Sequence, residues 1–137
     1  MAFDTKAARQ NTEARCPFRC DASGNGCGYL SERTFVERDL CLYPKRILPE
    51  DVKGRDVMLA VEVAGSSISY DRGLKARIYA GHGVGELWVI DAETRATWVH
   101  RRPDGEGQWG SIEKMGADTP VSPTALPAVA VRMADLD

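Results

Sequence analysis

Three charged side chains of this sequence, Asp39, Glu62 and Lys75, fall in or beside segments patterned for a core rather than on polar loops. Glu62 sits between Val61 and Val63 in "DVMLAVEV". An ionised carboxylate inside a fold costs several kcal/mol unless it is paired, hydrogen-bonded or bound to a cation. Two acids on neighbouring strands can converge on one divalent cation, because Mg²⁺ takes a few carboxylate oxygens and completes its shell with water and phosphate oxygens. A lysine nearby can orient the attacking water or balance charge on a phosphoryl transition state. A plainer reading uses the same residues. Asp71 and Lys75 are four apart with the acid first, the favourable order for a helical ion pair. Asp39 can be an exposed strand residue, and Glu62 can face water on a half-exposed sheet. Spacing leaves both readings open.

The elements that position these residues follow from periodicity. "TFVERDLCLYP" (34–44) is rich in β-branched and aromatic residues and stops at Pro44, which predicts a strand. After the polar connection "KRILPEDVKGR", residues 56–63 alternate. Leu59, Val61 and Val63 point one way, and Met58, Ala60 and Glu62 the other. Asp56 lies on the side of Glu62 but about 20 Å away along an extended strand, too far to share an ion. Ser69 or Asp71 can cap a helix through "YDRGLKARIYA", with Leu74 and Ile78 as its buried stripe, Tyr79 flanking, and Gly81 as its stop. "ELWVID" (86–91) completes a strand, helix, strand order, which predicts a parallel βαβ crossover. "ATWVHRR" and "GQWGSIEK", separated by "PDGEG", predict an antiparallel hairpin with His100 exposed on it. The closing "SPTALPAVAVRMADLD" reads as an edge strand or packed extension.

At 137 residues, with 43% hydrophobic and 28% charged side chains, the chain suits one soluble globular domain. Its apolar runs are far short of a membrane span, and its first residues lack the apolar stretch of a secretory leader, which predicts a cytoplasmic location. A net charge of −2 neither announces nor excludes a nucleic-acid partner. The four cysteines, Cys16, Cys20, Cys27 and Cys41, do not have paired C-x₂-C spacing, so free thiols are expected ahead of a zinc site. Ser66 and Ser67 can donate to a phosphate or cap the following helix. His82 falls at the helix C-terminus, where the dipole favours a structural role.

The string from Thr34 to Pro103, and most densely "VEVAGSSISYDRGLK", "YAGHGVGELWVID" and "LPAVAVRMADL", resembles the Uma2 (DUF820) family of restriction-endonuclease-like bacterial proteins. The resemblance runs from about Ser31 to Leu136. It implies a PD-(D/E)XK nuclease fold, an α/β (α+β) restriction-endonuclease-like mixed sheet flanked by helices. The family's first acid falls on Asp39 and its second on Glu62. The lysine usual two residues after the second acid is replaced by Ala64, and the basic residue falls instead on Lys75. Glu37 is implied as an auxiliary acid, and Arg38 stands where the family has proline. Residues 1–30 do not resemble the family's longer N-terminal region, so the expected organisation is a poorly ordered or atypical N-terminal segment (1–30) followed by a shortened endonuclease domain (31–137).

The resemblance thus implies a metal-dependent endonuclease acting on DNA phosphodiester bonds. Asp39 and Glu62 would hold Mg²⁺ or Mn²⁺, Lys75 would position water or stabilise charge, and Ser66, Ser67 and Arg72 would bind substrate. Lys45, Arg46, Arg77, Arg101 and Arg102 are further candidates for backbone phosphates, solvated charge being their ordinary alternative. An exposed sheet edge left by the shortened N-terminus would favour a homodimer. The rival from another class is a catalytically inactive truncated domain serving as a nucleic-acid or protein interaction module. Metal binding separates the two.

Overall fold

The computed structural model describes the backbone at residues 18–22, 29–31, 34–35, 40–65 and 68–136, and the side chains at 40–65, 69–70 and 72–136. Six strands form one sheet: β1 (Phe18–Ala22), β4 (Leu40–Pro44), β5 (Leu59–Ala64), β6 (Glu86–Asp91), β7 (Thr97–Pro103) and β8 (Trp109–Met115), in that spatial order. A separate two-stranded piece pairs β2 (Tyr29–Ser31) with β3 (Thr34–Phe35). Every neighbouring pair in the large sheet is antiparallel except β5 and β6. Those two are parallel because a helix carries the chain back between them, the crossover expected from the strand, helix, strand order.

That helix has three parts: α1 (Ile68–Tyr70), a π turn (Asp71–Lys75) and α2 (Ala76–Gly81). Its buried face is Ala76, Tyr79 and Ala80, whereas Leu74 is 55% exposed. The expected Leu74/Ile78 stripe is therefore corrected at Leu74. A π turn spends more residues per turn than the 3.6 on which the stripe was phased, so positions before Lys75 do not share the phase of α2. The helix also runs through Gly81 to a cap at His82, and the positive φ that ends it belongs to Gly83, at +79°.

Alternation along the strands divides two cores. The helix covers one face, where Cys41, Tyr43, Ala60, Ala64, Leu87, Val89 and Trp98 pack with Ala76, Tyr79 and Ala80. The opposite face carries Leu42, Leu59, Val61, Trp88, Ile90 and Val99. It is covered by the C-terminal segment through Val121, Leu126, Val131 and Met133. That segment is a packed extension folded on itself through a bridge between Val121 and Val131, and it ends in a 3₁₀ turn (Met133–Asp135). The hairpin β7–β8 is pinned to the helix by Trp109, whose indole N–H donates to the Ala76 carbonyl at 2.9 Å.

Two expectations fail on this framework. His100 is 1% exposed rather than on a solvated hairpin, because it shares the helix-side face with Trp98 and lies under the edge of Trp109, ring centroids 5.6 Å apart. Cys41 is fully buried and disulfide-bonded rather than a free thiol. Cys16, Cys20 and Cys27 lie outside the described side chains.

Candidate active site

β5 is central in the sheet and parallel to β6, so both of its faces are covered. Glu62 points to the helix face, as the alternation predicts, and is only 5% exposed. Among the described residues its charge is answered from the helix that follows β5. Lys75 and Tyr79, four residues apart, project from the same side of the helix. Lys75 Nζ stands 3.0 Å from Glu62 Oε2, and the Tyr79 hydroxyl donates to Glu62 Oε1. Both carboxylate oxygens are thereby engaged, which resolves the burial cost. The lysine side chain is 16% exposed against 6% for the glutamate, so the pair is reached from the lysine side.

The plain alternative of a Glu62 facing water is excluded by this burial, and Lys75 is ion-paired with the strand; the Asp71 side chain, its expected partner along the helix, lies outside the described residues. Tyr79 is the site residue that sequence reasoning assigned only to packing. The signal available was its spacing from Lys75, one helical turn on.

Next to this pair the sheet offers a row of helix-side positions. Glu62 is opposite Val89, Val89 opposite Trp98, and Trp98 opposite Lys114. Arg72, one of the expected substrate-binding residues, lies over the Trp98 ring with its guanidinium carbon 4.1 Å from the centroid. His100 is on the same face. Its Nδ1 lies 3.2 Å from the Leu87 carbonyl and 3.1 Å from the Trp98 carbonyl, so that nitrogen carries the proton and donates. Burial holds its pKa below the ordinary value, opposed by those hydrogen bonds and assisted by the nearby charge of Arg72.

Asp39, Glu37, Ser66 and Ser67 lie outside the described residues. The ladder between β4 and β5 is described through Cys41 opposite Ala60 and Leu40 opposite Val61, one step short of Glu62. Of the other basic candidates, Arg101 is turned to the opposite face, its Nε 3.1 Å from Glu86. Lys45 and Arg46 follow Pro44, at the end of β4 remote from Val61. Arg77 and Arg102 are exposed, and Arg102 Nη2 approaches the Gly110 carbonyl at 3.5 Å.

Glu62 is a hard oxygen donor of the kind Mg²⁺ or Mn²⁺ takes, in a place where its charge is already balanced by a cation. Among the described residues no group of three or more His, Cys, Asp or Glu is gathered as a metal cluster. The described part of the site offers one carboxylate, that of Glu62, to such a cation. No described helix is long and apolar enough to cross a membrane.

Comparison with known proteins agrees with this architecture. A crystal structure of a "putative nuclease belonging to DUF820" from Anabaena variabilis superposes with a TM-score of 0.68 at 14% identity, covering 96% of this chain and 74% of that one. That likeness is one of fold. No curated protein matches the chain. The family model of Uma2, described as "Putative restriction endonuclease", matches residues 7–134, so the match includes most of the N-terminal segment that the resemblance left out. By that match over nearly the whole chain, this protein belongs to the Uma2 family.

Proposed function

We propose that the chain is a metal-dependent endonuclease that hydrolyses DNA phosphodiester bonds, with Glu62 and Asp39 as the metal-holding acids and Lys75 as the cation of the site. The observation that carries this reading is the buried Glu62 carboxylate on the central strand, held between Lys75 Nζ at 3.0 Å and the Tyr79 hydroxyl. Family membership supports it, because Uma2 is described as "Putative restriction endonuclease". Asp39 directly precedes Leu40 in the sequence, and Leu40 pairs with Val61, the residue before Glu62, which supports Asp39 as the second acid.

A bound divalent cation supplies Lewis-acid polarisation of the phosphate and a water of lowered pKa. The residues of the chain do the rest. Tyr79 fixes the rotamer of Glu62 by its hydrogen bond, so one carboxylate oxygen stays oriented. Lys75 balances the carboxylate while the site is empty of cation. Its ammonium, with three donors on a flexible stem, then turns to hold the attacking water or the negative charge that grows on the phosphoryl oxygens. Ser66 and Ser67, just after β5, are proposed as hydroxyl and backbone donors to phosphate, and Glu37 as an auxiliary acid.

A cleavage assay on supercoiled plasmid with Mg²⁺ and with Mn²⁺ tests the reading. Nicking is expected only with metal, falling on the order of a hundredfold or more in Glu62→Gln and in Lys75→Met, with melting curves recorded for each variant. Activity that persists in Glu62→Gln, or cleavage in EDTA, overturns it.

A further inference from the structure

Three strands of the helix-side face lead from Glu62 to a pair of cations mounted on one indole. Trp98 is 9% exposed and forms the floor. Arg72, from the π turn, stands over it at 4.1 Å, and Lys114 Nζ, from the edge strand β8, at 5.2 Å. Each contact is a cation–π interaction, which fixes where a long basic side chain points without consuming its charge. Both residues are exposed, and among the described residues neither takes part in a salt bridge. Asp91 senses Lys114 only weakly, since hydrogen bonds from the Glu93 and Thr94 backbone lead the lowering of its pKa. Two like charges drawn to one ring repel each other, and a shared anion relieves that repulsion.

The placement selects which anion. Neighbouring strands lie about 4.8 Å apart, so β7 and β8 are roughly 10 and 14 Å from β5. A phosphate held there cannot be the one at Glu62, but it can be one farther along the same backbone. We infer that Arg72 and Lys114, seated on Trp98, form a second phosphate-binding position that grips the nucleic-acid backbone flanking the bond at Glu62. The inference rests on the nucleic-acid reading of the site above and adds Lys114 and Trp98, which that reading does not use. Arg72 serves as a guanidinium fork, and Lys114 as a point charge.

The test is equilibrium binding of a fluorescein-labelled DNA duplex by anisotropy, in EDTA, across a series of salt concentrations. Each phosphate contact contributes about one unit to the slope of log affinity against log salt. Arg72→Gln and Lys114→Gln are each expected to lower that slope by about one and to weaken binding about eightfold at 0.1 M salt. Arg72→Lys, which keeps the charge, should keep the slope. Arg132→Gln, a control on the segment covering the opposite face, should match wild type. Unchanged slopes in both glutamine variants overturn the inference, as does absence of duplex binding by the wild type. Cleavage with unaffected slopes would sink this position alone, whereas reduced slopes in a protein that never cleaves would sink the hydrolytic reading and leave the position standing.

Discussion

Glu62 and Glu86 lie on adjacent parallel strands, 5% and 1% exposed, and are satisfied in different ways. Glu86 accepts from Trp88 Nε1 at 2.5 Å, Arg101 Nε at 3.1 Å and the Thr124 hydroxyl at 2.6 Å, all groups that tie structure together. Glu62 is met by a lysine that opens toward solvent and a tyrosine of the same helix. Removing the lysine strands a buried charge, so Lys75→Met should cost about 3 kcal/mol in urea unfolding, and Tyr79→Phe about 1 kcal/mol. Equal costs would contradict the view that charge balance at Glu62 comes chiefly from Lys75. His100 titrates in the other direction from an ion-paired histidine. Its folded pKa lies below the ordinary 6.5, so the unfolded chain binds the proton more readily. Its influence is absent well above pH 6.5, and it erodes stability as pH falls through 6.5 toward the depressed folded value. The urea midpoint should therefore drop between pH 7.5 and 5.5, and drop less in His100→Gln. The side on which Glu62 lies was legible from alternation alone. The burial of His100 was not, because a polar residue on a hairpin reads as exposed until the helix and Trp109 are known to cover that face.

At the scale of elements, strand, helix, strand and hairpin were all readable, since their periods and turn residues agree. The phase of the helix was not, because a π turn leaves no mark in hydrophobic spacing. Two glycines show how these elements are fitted. Gly73 lies in the π turn with open space where a Cβ would go, and its φ is not positive. Gly73→Ala should raise stability by about 0.5 to 1 kcal/mol, read from the denaturant midpoint. Gly54 lies in a 3₁₀ turn (Gly54–Asp56) before β5, and a Cβ there would stand 2.6 Å from the His82 carbonyl oxygen and 2.7 Å from its Cβ. Gly54→Ala should instead cost about 1 to 3 kcal/mol, because the turn and the helix cap must separate. A neutral result would show that the cap of α2 and the approach to β5 are not held together as described.

For the whole molecule, the sheet separates work between its faces. One carries the helix, Glu62 and the Arg72 and Lys114 cations seated on Trp98. The other is closed by the C-terminal segment, which Glu86 ties down through Thr124 while Arg101 bonds both Glu86 and the Ser122 carbonyl. Glu86→Ala should accordingly destabilise the fold by about 2 to 4 kcal/mol, seen by calorimetry, and leave cleavage by the remaining folded protein unchanged. The central claim is that acids of β5 and of the stretch before Leu40 share one cation beneath Lys75. Isothermal titration with Mn²⁺ reads it most directly. The account predicts one saturable site in the wild type that is lost in both Asp39→Asn and Glu62→Gln. Wild-type protein that takes up no Mn²⁺, or variants that titrate as it does, would contradict it.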